Sequence, residues 1–72
     1  MSEKAGKIYN NRILDSQDKK TDYYIYNNQI YSPGGATGYF IEDNYIKTGS
    51  GTTGFFIQDG KIIGPSDKLP WT

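Results

Sequence analysis

With neither histidine nor cysteine in its 72 residues, this chain could do chemistry only with carboxylates, hydroxyls, lysines or phenols. The missing histidine removes the usual general base and the commonest transition-metal ligand. The missing cysteine removes disulfides and thiolate zinc sites as staples for a small fold. Asp15, Asp18 and Asp22 crowd one segment and Glu42 and Asp43 adjoin. None of them has the closely alternating oxygen ligands, central glycine and distal glutamate of a calcium loop. Serine and threonine are plentiful, but no base accompanies them as a nucleophile requires. The run Gly49-Ser50-Gly51-Thr52-Thr53-Gly54 spells G-x-G-x-x-G. That pattern holds a pyrophosphate only where a strand gives way to a helix, and here a strand beginning near Phe55 follows. The expectation is a chain with no catalytic residue, no metal and no cofactor, hence not an enzyme.

The tyrosines are the other group with chemical potential. Seven Tyr, three Phe and one Trp make up 15% of the residues. One reading is structural, since cross-strand aromatic pairs stabilise thin sheets. The other is functional, a row of aromatic platforms for sugar rings, cationic headgroups or a protein partner.

What must position these side chains is a repeat. Residues 21–36, 37–52 and 53–68 align without gaps as sixteen-residue units, and a divergent fourth copy around residues 7–14 precedes them. An isoleucine pair fixes the register in each copy: Ile8 and Ile13, Ile25 and Ile30, Ile41 and Ile46, Ile57 and Ile62. Between the members of each pair lies a turn dipeptide, Asn10-Asn11, Asn27-Asn28, Asp43-Asn44 or Asp59-Gly60. These residues tolerate the positive φ that a two-residue type I′ hairpin needs at both central positions. Eight short strands are predicted, at about 7–9 and 12–14, 23–26 and 29–31, 39–42 and 45–48, 55–58 and 61–63.

In such a hairpin the flanking residues pair directly, so Tyr26 opposes Gln29, Ile25 opposes Ile30 and Tyr24 opposes Tyr31. Alternation then places every isoleucine pair on one face, as an aliphatic ladder. The opposite face takes Lys7 and Leu14, Tyr24 and Tyr31, Phe40 and Lys47, Phe56 and Ile63, with the turn-flanking pairs beside them. Tyr24, Tyr31, Phe40 and Phe56 form the candidate binding face. Residues 32–38 and 49–54, rich in Gly, Ser, Thr and Pro, read as surface loops between hairpins, and residues 15–22 as a solvated charged loop. Residues 1–6 read as a flexible leader and residues 65–72 as a C-terminal cap, with Leu69 and Trp71 folding back over the last hairpin. The fold expected is all-β, one domain over 1–72, with four tandem hairpins stacked as a β-solenoid or laid side by side in a single twisted antiparallel sheet.

Size and charge narrow the function classes. A chain this short buries only about 60% of its unfolded surface, so its core is economical or shared with a partner. Eight basic residues balance eight acidic ones, which leaves no positive field for non-specific nucleic-acid binding. No stretch approaches the roughly 18 apolar residues of a membrane span. The polar N-terminal residues lack a signal-peptide pattern, so the expected compartment is the cytoplasm.

The Tyr24-Ile25 to Ile30-Tyr31 hairpin, with its following Gly and Pro loop and the terminal Leu69-Pro70-Trp71, resembles small bacterial proteins built from short tandem β-hairpin repeats. That resemblance covers roughly residues 7–71 and implies no activity. The segment 54–63 resembles more weakly the cell-wall and choline-binding repeats of bacterial surface proteins, without the tryptophans that line choline pockets. Bacterial WG-type repeats share its Gly-Phe-Ile-x-Asp-Gly-Lys flavour but not the Trp-Gly pair. The function expected is a non-catalytic interaction module, engaging a protein partner or a second copy through the aromatic face. The alternative is a carbohydrate or cell-envelope binding repeat.

Overall fold

The four turn dipeptides adopt the predicted geometry. φ is 50° and 64° at Asn10 and Asn11, 52° and 62° at Asn27 and Asn28, 53° and 67° at Asp43 and Asn44, and 53° and 76° at Asp59 and Gly60. A computed structural model describes residues 2–71. Its eight strands are β1 (Glu3–Tyr9), β2 (Arg12–Asp15), β3 (Lys20–Tyr26), β4 (Gln29–Ser32), β5 (Gly35–Glu42), β6 (Tyr45–Thr48), β7 (Gly51–Gln58) and β8 (Lys61–Gly64). Within each hairpin the register is the one that the turns dictate, with Ile8↔Ile13, Ile25↔Ile30, Ile41↔Ile46 and Ile57↔Ile62 directly paired.

The hairpins form neither a solenoid nor an open sheet. They close into an eight-stranded antiparallel barrel in chain order, with β8 pairing back onto β1. Closure follows from unequal strands: the first strand of each hairpin has seven or eight residues and the second has four. Each long strand pairs with its own partner at one end and with the preceding hairpin at the other. Successive hairpins are therefore staggered, and stagger with tilt is what curls a sheet shut.

The segments predicted as loops supply the extra length. Residues 35–38 and 51–54 are strand, and the connections shrink to the dipeptides 33–34 and 49–50. Likewise only residues 16–19 remain between β2 and β3, and residues 3–6 of the expected leader belong to β1. Met1 and Thr72, at the ends of the expected leader and cap, lie outside the described residues.

Each junction between consecutive hairpins contains a bulge of two extra residues. The β1–β8 seam has a smaller one, where the step from Lys4 to Gly6 faces that from Ile63 to Ile62. From Arg12↔Tyr24 to Leu14↔Lys20, two steps along β2 face four along β3, and the β4–β5 and β6–β7 junctions repeat this. Extra residues on one strand bend it and sharpen its twist. A threonine satisfies the backbone groups that the bulge unpairs. The hydroxyls of Thr21, Thr37 and Thr53 donate to the carbonyls of Ile13, Ile30 and Ile46 at 2.5, 2.8 and 2.7 Å. Each also accepts the N–H two residues on, from Tyr23, Tyr39 and Phe55 at 3.2 Å. A further bond ties each hairpin to its predecessor's turn: Ile25, Ile41 and Ile57 donate to the carbonyls of Asn11, Asn28 and Asn44, and Ile8 closes the ring onto Gly60.

Inside, the isoleucine ladder resolves into two tiers. Ile13, Ile30, Ile46 and Ile62, from the even strands, are fully buried. Ile8, Ile25, Ile41 and Ile57, from the odd strands, sit one level nearer the turns and are only partly buried. A third tier lies at the other end: Tyr23, Tyr39 and Phe55 point inward, and the fourth place falls to Gly6. A Cβ on Gly6 would lie 2.9 Å from Leu69 Cδ2 and 2.5 Å from the Leu14 carbonyl oxygen. Leu69 thus occupies the missing quarter, and the C-terminal segment plugs this end of the barrel rather than covering the last hairpin. Trp71 lies against Tyr23 and Tyr39 with ring centroids 5.8 and 5.6 Å apart, and the Tyr39 hydroxyl donates to the Pro70 carbonyl at 3.0 Å.

Candidate functional site

With the interior filled, the chemistry left to the molecule is on its outer wall. Register across the bulged junctions sorts the outward side chains into four equivalent rows, each beginning beside one type I′ turn. The first runs Tyr9↔Arg12↔Tyr24↔Tyr31↔Ala36. The second runs Tyr26↔Gln29↔Phe40↔Lys47↔Thr52. The third is Glu42↔Tyr45↔Phe56↔Ile63↔Lys4, and the fourth Gln58↔Lys61↔Lys7↔Leu14↔Lys20. The backbone plan is shared; the chemistry is different in every row.

The expected face of Tyr24, Tyr31, Phe40 and Phe56 is divided among three of these rows. Tyr24 and Tyr31 do come together, stacked at 5.5 Å with ring planes 13° apart, and Tyr26 meets Tyr31 edge-on at 6.3 Å. Phe56 lies two strands beyond Phe40 around the barrel and contacts Tyr45 instead, at 6.4 Å. Phe40, half-buried, sits between Gln29 and Lys47. Curvature is the reason: on an open sheet these residues would share one plane, but a closed wall turns them to different sides.

Two members of the first row, Tyr9 and Arg12, are a turn-flanking pair that alternation places on the outer face but that the candidate set left out. Tyr9 is 62% exposed, and Arg12 lies between Tyr9 and Tyr24. The Arg12↔Tyr24 neighbourhood joins two hairpins, so hairpin-by-hairpin pairing could not find it. A cleft of about 320 Å³ opens beside this row, lined by Asn10, Asn11, Arg12, Tyr24 and Ile25. A second cleft of about 290 Å³ lies between Ser2, Gly54, Phe56, Gly64 and Pro65 and offers no charged side chain.

Among the described residues, the two ion pairs cross between rows or reach a loop. Lys4 and Asp18 pair at 2.6 Å, and Lys47 and Glu42 at 3.0 Å. The Lys4 hydrogen bond holds the Asp18 carboxyl below the usual carboxylate range, and the charges of Lys4, Lys7 and Lys61 add to the effect. Among the described residues, no three His, Cys, Asp or Glu side chains gather closely enough to hold a metal ion, and no helix is long and apolar enough to cross a membrane. No family model, curated protein or solved structure matches the chain.

Proposed function

We propose that this barrel is a non-catalytic protein-interaction module that works through the tyrosine-rich outer wall of its first two hairpins. The observation that carries this reading is the exposure of Tyr9 (62%) on β1 and of Tyr24 (40%) and Tyr26 (62%) on β3, the two strands that flank β2. Tyrosines on a rigid sheet offer large contact area at low entropic cost, and interfaces are enriched in them. The interior supports no rival role, because an eight-stranded barrel is just wide enough for its own side chains and the middle isoleucine tier is fully buried. Strand addition is also closed to a partner, because a closed barrel has no free edge. Carbohydrate binding is the less favoured reading, because the Tyr24–Tyr31 stack leaves only one face of each ring for a sugar.

The test compares the wild type with a Tyr24→Ser, Tyr26→Ser double variant of unchanged circular dichroism. The wild type is expected to self-associate in light scattering or to retain a partner that can be reconstituted from purified components, and the variant to do neither. A wild type that stays monomeric at high concentration and retains nothing overturns the proposal.

A further inference from the structure

We infer that the partner presents an acidic segment, which docks across the first-hairpin side of the barrel with Arg12 at the centre. This rests on the interaction-module reading above and specifies the chemistry of its partner. Although the net charge is zero, the cations are unevenly committed. Lys4 and Lys47 are paired with carboxylates. Among the described residues Lys7, Arg12, Lys20 and Lys61 have no ion pair, and all four face outward on adjoining rows of one wall. Lys7 and Lys61 are direct cross-strand partners, an arrangement of like charges that weakens a sheet. The Asp18 carboxylate offsets part of that cost, since both lysine charges act on it, and a bound anion would offset more.

The carboxylates of the same side neutralise this wall only in part. Asp18 is engaged by Lys4, and Asp15 Oδ1 accepts the backbone N–H groups of Gln17 and Lys19. Asp22, exposed on β3 between Lys20 and Tyr24, is a carboxylate within the patch and has no ion pair among the described residues. Arg12 lines the 320 Å³ cleft with the turn amides Asn10 and Asn11 and the Tyr24 ring. A guanidinium beside tyrosine rings is well suited to grip a carboxylate through two parallel hydrogen bonds, which lysine cannot do. Because no strand edge is free, an incoming segment is read by these side chains and not by backbone pairing.

The probe is a fluorescein-labelled peptide of alternating glutamate and leucine, followed by fluorescence anisotropy at low and at physiological ionic strength. The wild type is expected to bind it, and to bind the glutamine-for-glutamate version about tenfold more weakly or worse. R12Q is expected to weaken the glutamate peptide about tenfold, K7Q less, and R12K to restore only part of the loss. E42Q, on another row, is expected to change nothing. Arg12 is exposed, so its variants are expected to fold, which circular dichroism checks. Equal affinity for the two peptides, or an R12Q protein that binds as the wild type does, overturns the inference. So does equally tight binding of a labelled oligothymidylate, which would make the wall a general polyanion surface. If the Tyr24→Ser, Tyr26→Ser variant loses a reconstituted partner while the glutamate peptide never binds, the inference fails and the interaction-module reading stands.

Discussion

The two ends of the barrel are closed in different ways. At the turn end, four near-identical type I′ turns ring four half-buried isoleucines, and each turn accepts an amide from the next hairpin. At the plugged end no two quarters match: Tyr23, Tyr39, Phe55 and the Gly6–Leu69 pair fill one tier, with Trp71 laid across two of them. The regular end is what a repeat produces unaided. The irregular end is where two chain termini interrupt the symmetry and must be packed individually. Between them lies a tier that both ends share.

That shared tier should give the largest effect. Ile46→Ala is expected to cost about 2–5 kcal/mol in denaturant titrations, because the site is fully buried and cannot collapse. Ile41→Ala, at the half-buried turn end, should cost only about 1–2 kcal/mol. Equal costs would erase the distinction between tiers. At the plugged end, Leu69→Ala should cost about 2–4 kcal/mol, since Leu69 is 5% exposed and fills the place that Gly6 leaves. A cost below that of Ile41→Ala would show the plug to be dispensable.

Overpacking tests the same end from the other direction. A Cβ on Gly64 would lie 2.1 Å from Phe55 Cδ2, so Gly64→Ala must displace that ring. It is expected to cost about 1–3 kcal/mol and to alter the near-ultraviolet aromatic signal. At the turn end, Asn28→Val places a β-branched residue at φ 62° and should cost about 1–2 kcal/mol. Ser32→Val, outside such a turn, should cost less, and identical melting shifts would contradict the turn assignment.

The smallest effect is electrostatic. The Asp18 carboxyl is held below its ordinary value of 3.8, chiefly by Lys4. Its contribution is therefore present above the unfolded pKa and is lost as pH falls through the folded one. Asp18→Asn should lower the melting temperature slightly at neutral pH and converge with the wild type only as pH falls through the lowered pKa of the folded Asp18.

Much of this fold was legible locally. The isoleucine spacing and the Asn and Asp dipeptides specify every intra-hairpin register, down to Tyr24↔Tyr31 and Tyr26↔Gln29. Closure was not, because it depends on stagger between hairpins, and the residues creating the stagger are Gly, Ser and Thr that read as loop. One signal was available: each sixteen-residue unit opens with the threonine, Thr21, Thr37 or Thr53, that satisfies its bulge. The candidate surface was half legible for a related reason. Alternation places Tyr24 and Tyr31 outward and together, but Tyr9 and Arg12 join them only across a junction that local pairing does not describe.

The seam between β1 and β8 has a kinetic consequence. Its bond from Ile8 to Gly60 copies three others in geometry but not in contact order. Ile25 and Asn11 are 14 positions apart (25 − 11), whereas Ile8 and Gly60 are 52 apart (60 − 8). Loop-closure entropy rises by about 0.6 kcal/mol per doubling of loop length, so this nearly fourfold difference amounts to about 1 kcal/mol. The seam should zip last during folding and part first in native fluctuations. Amide hydrogen exchange at Ile8 should then outpace that at Ile25, Ile41 and Ile57, whose bonds are chemically the same.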